Sequence, residues 1–171
     1  QLLWQIYGNG TDPSLFSNIA LQVGTWYHIA ATRVGNVHTI YINGVASASV
    51  TASITPASNT LPLTLGFGNI HTYLNGQLDE VRVWNVGRTA AQINQNKDFE
   101  IAGQAGLMTY YKFNQGQPGG NNSGLTTLED NSGNNRNGSL RNFVLTGTES
   151  NWSSRSGASI EGTWTSSNSS I

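Results

Sequence analysis

Residues 24–84 consist of short alternating blocks, each closed by a glycine or asparagine turn. They read GTWYHIAATR, HTIYINGVAS, LPLTLGFGN and LNGQLDEVRVWN. Alternation at period two gives each face of a pleated strand its own set of side chains. Turn residues at such short intervals leave no room for helices between the strands. The pattern restricts the chain to an all-β, antiparallel sandwich.

Around these blocks the same reading continues. Residues 2–7 (LLWQIY) read as a strand closed by Gly8-Asn9-Gly10, and residues 15–21 as a second short strand. Gly35-Asn36 is a hairpin turn. Asn43-Gly44 has the composition of a type I′ turn, whose two central positions both need positive φ. Residues 61–66 (LPLTLG) read as a strand whose proline suits an end or an edge. Residues 77–84 (QLDEVRVW) are expected to form one continuous central strand with Trp84 in the core. Residues 89–96 are the only helical candidate, with Thr89 as N-cap. Residues 106–113 form a further strand, and the Gly/Asn-rich stretches 116–124 and 131–138 are loops.

Charged residues make up 10% of the chain, against about 25% in an average globular protein. Lys+Arg number 8 and Asp+Glu 9, a net charge of −1 without any basic block. Nucleic acid is therefore not an expected partner. The chain has no cysteine, which excludes disulfides and Cys-ligated zinc. No apolar run approaches the ~20 residues that span a bilayer, so membrane insertion is not expected. Gln1 is not a start residue, and the expectation is a piece of a longer protein.

The blocks of residues 24–84, taken in order with NGQLDEVRVWNVGRTAAQINQN, closely resemble the second half of a laminin-G-like jelly roll of the concanavalin A-like lectin/glucanase class. The block GLMTYYKFNQGQPGGNNSGLTTLEDNSGNNRNGSLRNF is similar to an extension that follows such domains in large bacterial surface proteins. The resemblance implies an antiparallel jelly-roll β-sandwich with one short helix after its last main strand. It divides the chain into a jelly roll over residues 1–105, a β-rich extension over 106–152 and a Ser/Thr/Gly-rich linker over 153–171. It further implies strands ahead of residue 2 that cover the inner faces of the sandwich. These would come from absent residues or from another copy.

Candidate sites are sparse. Glucanases of this architecture place two carboxylates on one strand face, which needs i, i+2 spacing. Asp79 and Glu80 are adjacent, and the one such pair, Asp98 and Glu100, lies off any clear strand, so no catalytic residue is assigned. His28, His38 and His71 lack the spacing of a zinc site or a triad and read as surface or half-buried imidazoles. Asp130, Ser132 and Asn134 place oxygens at alternate loop positions, as calcium requires. One carboxylate is few for such a site, and an Asn/Gly turn held by Asx hydrogen bonds is the favoured reading. The resemblance adds Asp79 as a calcium ligand at the sandwich rim; the plain alternative is a solvent-facing charge or a pair with Arg82 or Arg88.

For glycans, exposed rings act as stacking platforms while amides and carboxylates read hydroxyls. Trp26 and Trp84 match core positions of the family, whereas Trp4, Tyr7, Tyr73 and Trp152 are freer. The loop 71–75, with His71, Tyr73 and Asn75, is the best ligand-facing tip. Asn9, Asn121, Asn137, Asn151 and Asn168 begin Asn-x-Ser/Thr sequons, which arise readily by chance in so Asn- and Ser-rich a chain. The expected role is a non-catalytic adhesion or structural module, extracellular or at the cell surface. Its partners would be a glycan or surface-protein ligand and neighbouring copies or domains of the parent. The alternative is a carbohydrate-binding module accessory to a secreted glycoside hydrolase.

Overall fold

The computed structural model describes residues 1–9, 13–68, 73–147, 151–154 and the backbone of 163–166. The elements in chain order are β1 (Leu3–Gln5), β2 (Gly8–Asn9), β3 (Ser14–Phe16), β4 (Ile29–Val34), β5 (Val37–Ile42), β6 (Val45–Thr51), β7 (Thr55–Pro56), β8 (Gly76–Leu78), β9 (Val81–Trp84), α1 (Ala90–Asn96), β10 (Leu107–Tyr111), β11 (Thr127–Leu128), β12 (Gly138–Ser139), β13 (Trp152–Ser153) and β14 (Thr163–Ser166). All strand pairings among the described residues are antiparallel. The fold is the all-β class expected, with one short helix following β9.

Contacts group the chain into two units. The first is residues 1–61 with 86–98, the second 62–85 with 99–171.

In the first unit, β4, β5 and β6 form a sheet with β5 in the middle. His38, Thr39, Ile40 and Ile42 of β5 are all buried, so this strand is covered on both faces. Ile40 and Ile42 pack with Leu15, Trp4 and Tyr27. Each such aliphatic side chain contributes about 1.5–3 kcal/mol by leaving water. His38 is wholly buried rather than at the surface, its Nε2 lying 3.3 Å from the Ala52 carbonyl.

The β5–β6 turn has φ of 51° at Asn43 and 80° at Gly44, as the Asn-Gly pair implies. Asn43 Oδ1 also accepts the His28 N–H at 2.9 Å. Gly44 is required twice over, because a Cβ there would come within 2.6 Å of Asn94 Oδ1 on α1. The helix itself begins at a full capping box. Thr89 Oγ1 accepts the Gln92 N–H, and Gln92 Oε1 accepts the Thr89 N–H. Ile93 is its buried residue.

The structure departs from expectation in three places. Residues 61–66 form no strand. Leu63 stays exposed, and only Leu65 packs against the core. Pro62 supplies no N–H, and the segment is held by local bonds: the Leu61 N–H to Asn59 Oδ1 (2.9 Å) and, at its end, the Leu74 N–H to the Gly66 carbonyl (2.9 Å).

Residues 77–84 are not one strand. Glu80 has a φ of 55°, and the chain breaks there into β8 and β9. Among the described residues β9 pairs with β10 alone, so it is not central there. Trp84 is half-buried, packed against Ile101, Leu107 and Tyr110.

Of residues 153–171, expected as a linker, the described part includes β14, whose backbone pairs with β13 on one side and β8 on the other. The largest cluster here gathers Tyr111, Phe113, Leu128 and Trp152. Trp152, expected among the free rings, is 1% exposed and meets Phe143 edge-on at 5.6 Å.

Candidate functional site

The kink at Glu80 organises a buried polar cluster. Glu80 accepts hydrogen bonds from the Tyr110 hydroxyl (2.5 Å) and from Arg82, which also donates to the Phe99 carbonyl. The Arg82 guanidinium lies 4.9 Å from the centre of the Tyr110 ring. Burial pushes the Glu80 carboxyl above its ordinary value, with Tyr110 and Arg82 partly offsetting it. Burial also pushes the Tyr110 hydroxyl up, and its bond to Glu80 adds to the effect. Tyr110 and Arg82 both bond to Glu80 Oε2, and Glu80 Oε1 is buried without a hydrogen-bond partner among the described residues.

The remaining acids singled out in the sequence are likewise engaged. Asp98 pairs with Lys97. Glu100 accepts from Lys112 Nζ at 2.6 Å and Asn114 Nδ2 at 2.5 Å. Asp79 is half-buried at the break between β8 and β9.

The loop carrying Asp130, Ser132 and Asn134 closes on itself. Asp130 Oδ1 accepts the Tyr110 and Ser132 N–H groups, and Oδ2 accepts the Arg136 N–H and the Ser132 hydroxyl, all at 2.9–3.0 Å. Burial disfavours the charge, but these four donors together hold the carboxyl below its ordinary value of 3.8. Asn134 turns its Nδ2 inward to the Leu107 and Met108 carbonyls. Calcium needs six to eight free oxygens. The Asp130 oxygens are turned instead to N–H and O–H donors, and a cation would have to displace them. Among the described residues no three His, Asp or Glu side chains come together as a metal cluster.

The exposed aromatic feature is a pair of rings on an antiparallel bridge. Gly66 turns with a φ of 76°, Phe67 and Tyr73 form an antiparallel bridge, and the Thr64 hydroxyl donates to the Phe67 carbonyl at 3.4 Å. The two rings lie 5.2 Å apart at 49°, with Phe67 39% and Tyr73 49% exposed. Leu74 and Asn75 beside them are also exposed. Of the expected tip residues, Tyr73 and Asn75 are thus at the surface, and His71 lies outside the described residues. Phe67 was missed, although the Gly-Phe-Gly spacing at 66–68 could have marked a ring presented on a turn. Tyr7 is exposed at 60%, whereas Trp4 packs into the first unit's core. Among the sequons, Asn151 is buried and the Asn137 oxygen accepts the Asp130 N–H.

Antiparallel strands, a capped helix after β9 and an exposed pair of aromatic rings make up an all-β scaffold. A laminin-G-type family profile, described as the concanavalin A-like lectin/glucanases superfamily, matches residues 1–94 of the 171. The chain belongs to that superfamily. Among solved structures it is similar to a protein of Bacteroides ovatus provisionally assigned as carbohydrate-binding. The TM-score is 0.62 and the identity 24%, over 80% of this chain and 39% of that one. The likeness is one of fold, and this chain spans about two fifths of that protein's length. No curated protein matches the sequence.

Proposed function

We propose that this chain is a non-catalytic, glycan-binding module of an extracellular or surface-exposed protein, used there for adhesion or spacing. The observation that carries the reading is the Phe67–Tyr73 pair. Two large rings held against each other at a turn, both open to solvent, offer the apolar platform on which a sugar face stacks. Asn75 beside them supplies an amide for hydroxyls. The superfamily includes both lectins and glucanases. The binding branch is favoured because Glu80, Asp98, Glu100 and Asp130 are each held by a partner of their own.

A glycan array on the full chain, followed by calorimetry on its best hit, tests this. Phe67→Ala and Tyr73→Ala are each expected to weaken binding at least tenfold, about 1.4 kcal/mol, without lowering the thermal midpoint. Binding that survives both substitutions unchanged would move the site elsewhere.

A further inference from the structure

A separate recess opens where the chain continues past β10. Lys112, Phe113, Asn114, Gln115, Glu129 and Asn131 line it, and its volume is about 160 Å³. It shares no residue with the Phe67–Tyr73 pair. Phe113 forms its floor, 1% exposed and at a φ of 57°. A bulky residue adopts the left-handed region only where its surroundings compel it, and such positions concentrate at functional sites.

The polar rim is held in place before any ligand arrives. Lys112 and Asn114 are both anchored on Glu100. With Asn114 Nδ2 committed there, its Oδ1 is left as an acceptor. Asn131 Nδ2 donates to the Glu129 carbonyl at 3.2 Å, which fixes that amide in the same sense. Gln115 is clamped at both ends, its Oε1 accepting the Glu129 N–H at 2.9 Å and its Nε2 donating to the Thr127 carbonyl. Asn114, Glu129 and Asn131 stand exposed around the opening.

We infer that this recess is a subsite for one neutral sugar residue. Its hydroxyls would donate to Asn114 Oδ1, Asn131 Oδ1 and the Glu129 carboxylate, and accept from Lys112. The chemistry argues against other small ligands. An anionic sugar would meet the Glu129 charge, while Lys112 is already neutralised by Glu100. A divalent cation would find a single carboxylate, Glu129, where calcium gathers six to eight oxygen ligands. The volume falls short of the roughly 300–1,000 Å³ of drug-sized pockets and suits a single ring.

Titration of the ¹⁵N-labelled full chain with the methyl glycosides of glucose, galactose and mannose, and with N-acetylglucosamine, tests the assignment. At least one should shift the amides of residues 112–115 and 129–131 saturably at millimolar concentration. Glu129→Ala and Asn131→Ala should each raise the dissociation constant tenfold or more while leaving the thermal midpoint in place. Absence of shifts at these amides with all four sugars would overturn the proposal. So would shifts that persist in both variants, or shifts seen with glucuronic acid alone. Shifts at residues 67 and 73 report the aromatic pair separately, so either site can fail without the other.

Discussion

Gly116 faces the Trp152 indole so closely that a Cβ in its place would lie 1.9 Å from Cδ2. Nothing flexible stands between them; the neighbour is a rigid ring that is itself fully buried. Gly116→Ala should therefore destabilise by about 1–3 kcal/mol or more through overpacking. Trp152→Ala should cost about 3–5 kcal/mol through the cavity it leaves. Trp84, half-buried, should cost less than Trp152 on the same substitution. Urea denaturation of the three variants ranks them, and a Trp84→Ala loss equal to that of Trp152→Ala would contradict the packing.

Asp130 gives a pH prediction. Its folded value is depressed, so its charged form stabilises the fold above the ordinary value of 3.8, and that contribution disappears as pH falls below it. Melting curves between pH 6 and pH 2 should drop more steeply for the parent than for Asp130→Asn. The variant should already be weaker at neutral pH.

At the scale of elements, what was legible in the sequence is what local chemistry decides. Asn43-Gly44 can hardly do other than turn, and Thr89 with Gln92 three residues on is a complete helix start. Thr89→Ala should cost about 1 kcal/mol, read as a lower denaturation midpoint with unchanged slope.

What was not legible depends on residues far apart in sequence. Residues 77–84 read as one strand, yet it breaks at Glu80, whose carboxylate meets Tyr110 thirty positions later. Trp152, beside a Ser/Thr/Gly-rich stretch, gives no local hint that Tyr111, Phe113 and Leu128 will surround it. The leucines at 61 and 63 look like one face of a strand, but no described strand pairs with them. Of the candidate tip, Tyr73 and Asn75 are exposed and His71 lies outside the described residues.

At the scale of the molecule, the low charge becomes a prediction about recognition. With 10% charged residues and a net charge of −1, long-range attraction has little to act on. Glycan affinity should change less than twofold between 50 and 500 mM salt, measured by calorimetry at both. A steep salt dependence would mean that a local cluster of charge reads an anionic glycan.

The interleaving of the two contact-defined units bears on how the chain is made. Residues 62–85 leave the ribosome before residues 86–98, which complete the first unit, and wait for 99 onward to complete their own. For that interval β6 lacks α1 and β9 lacks β10. Neither unit is a contiguous gene segment, so no single cut in the coding sequence yields one of them whole. Synthesis must carry two unfinished cores forward together, and an arrest between residues 62 and 98 would leave both exposed to mispairing.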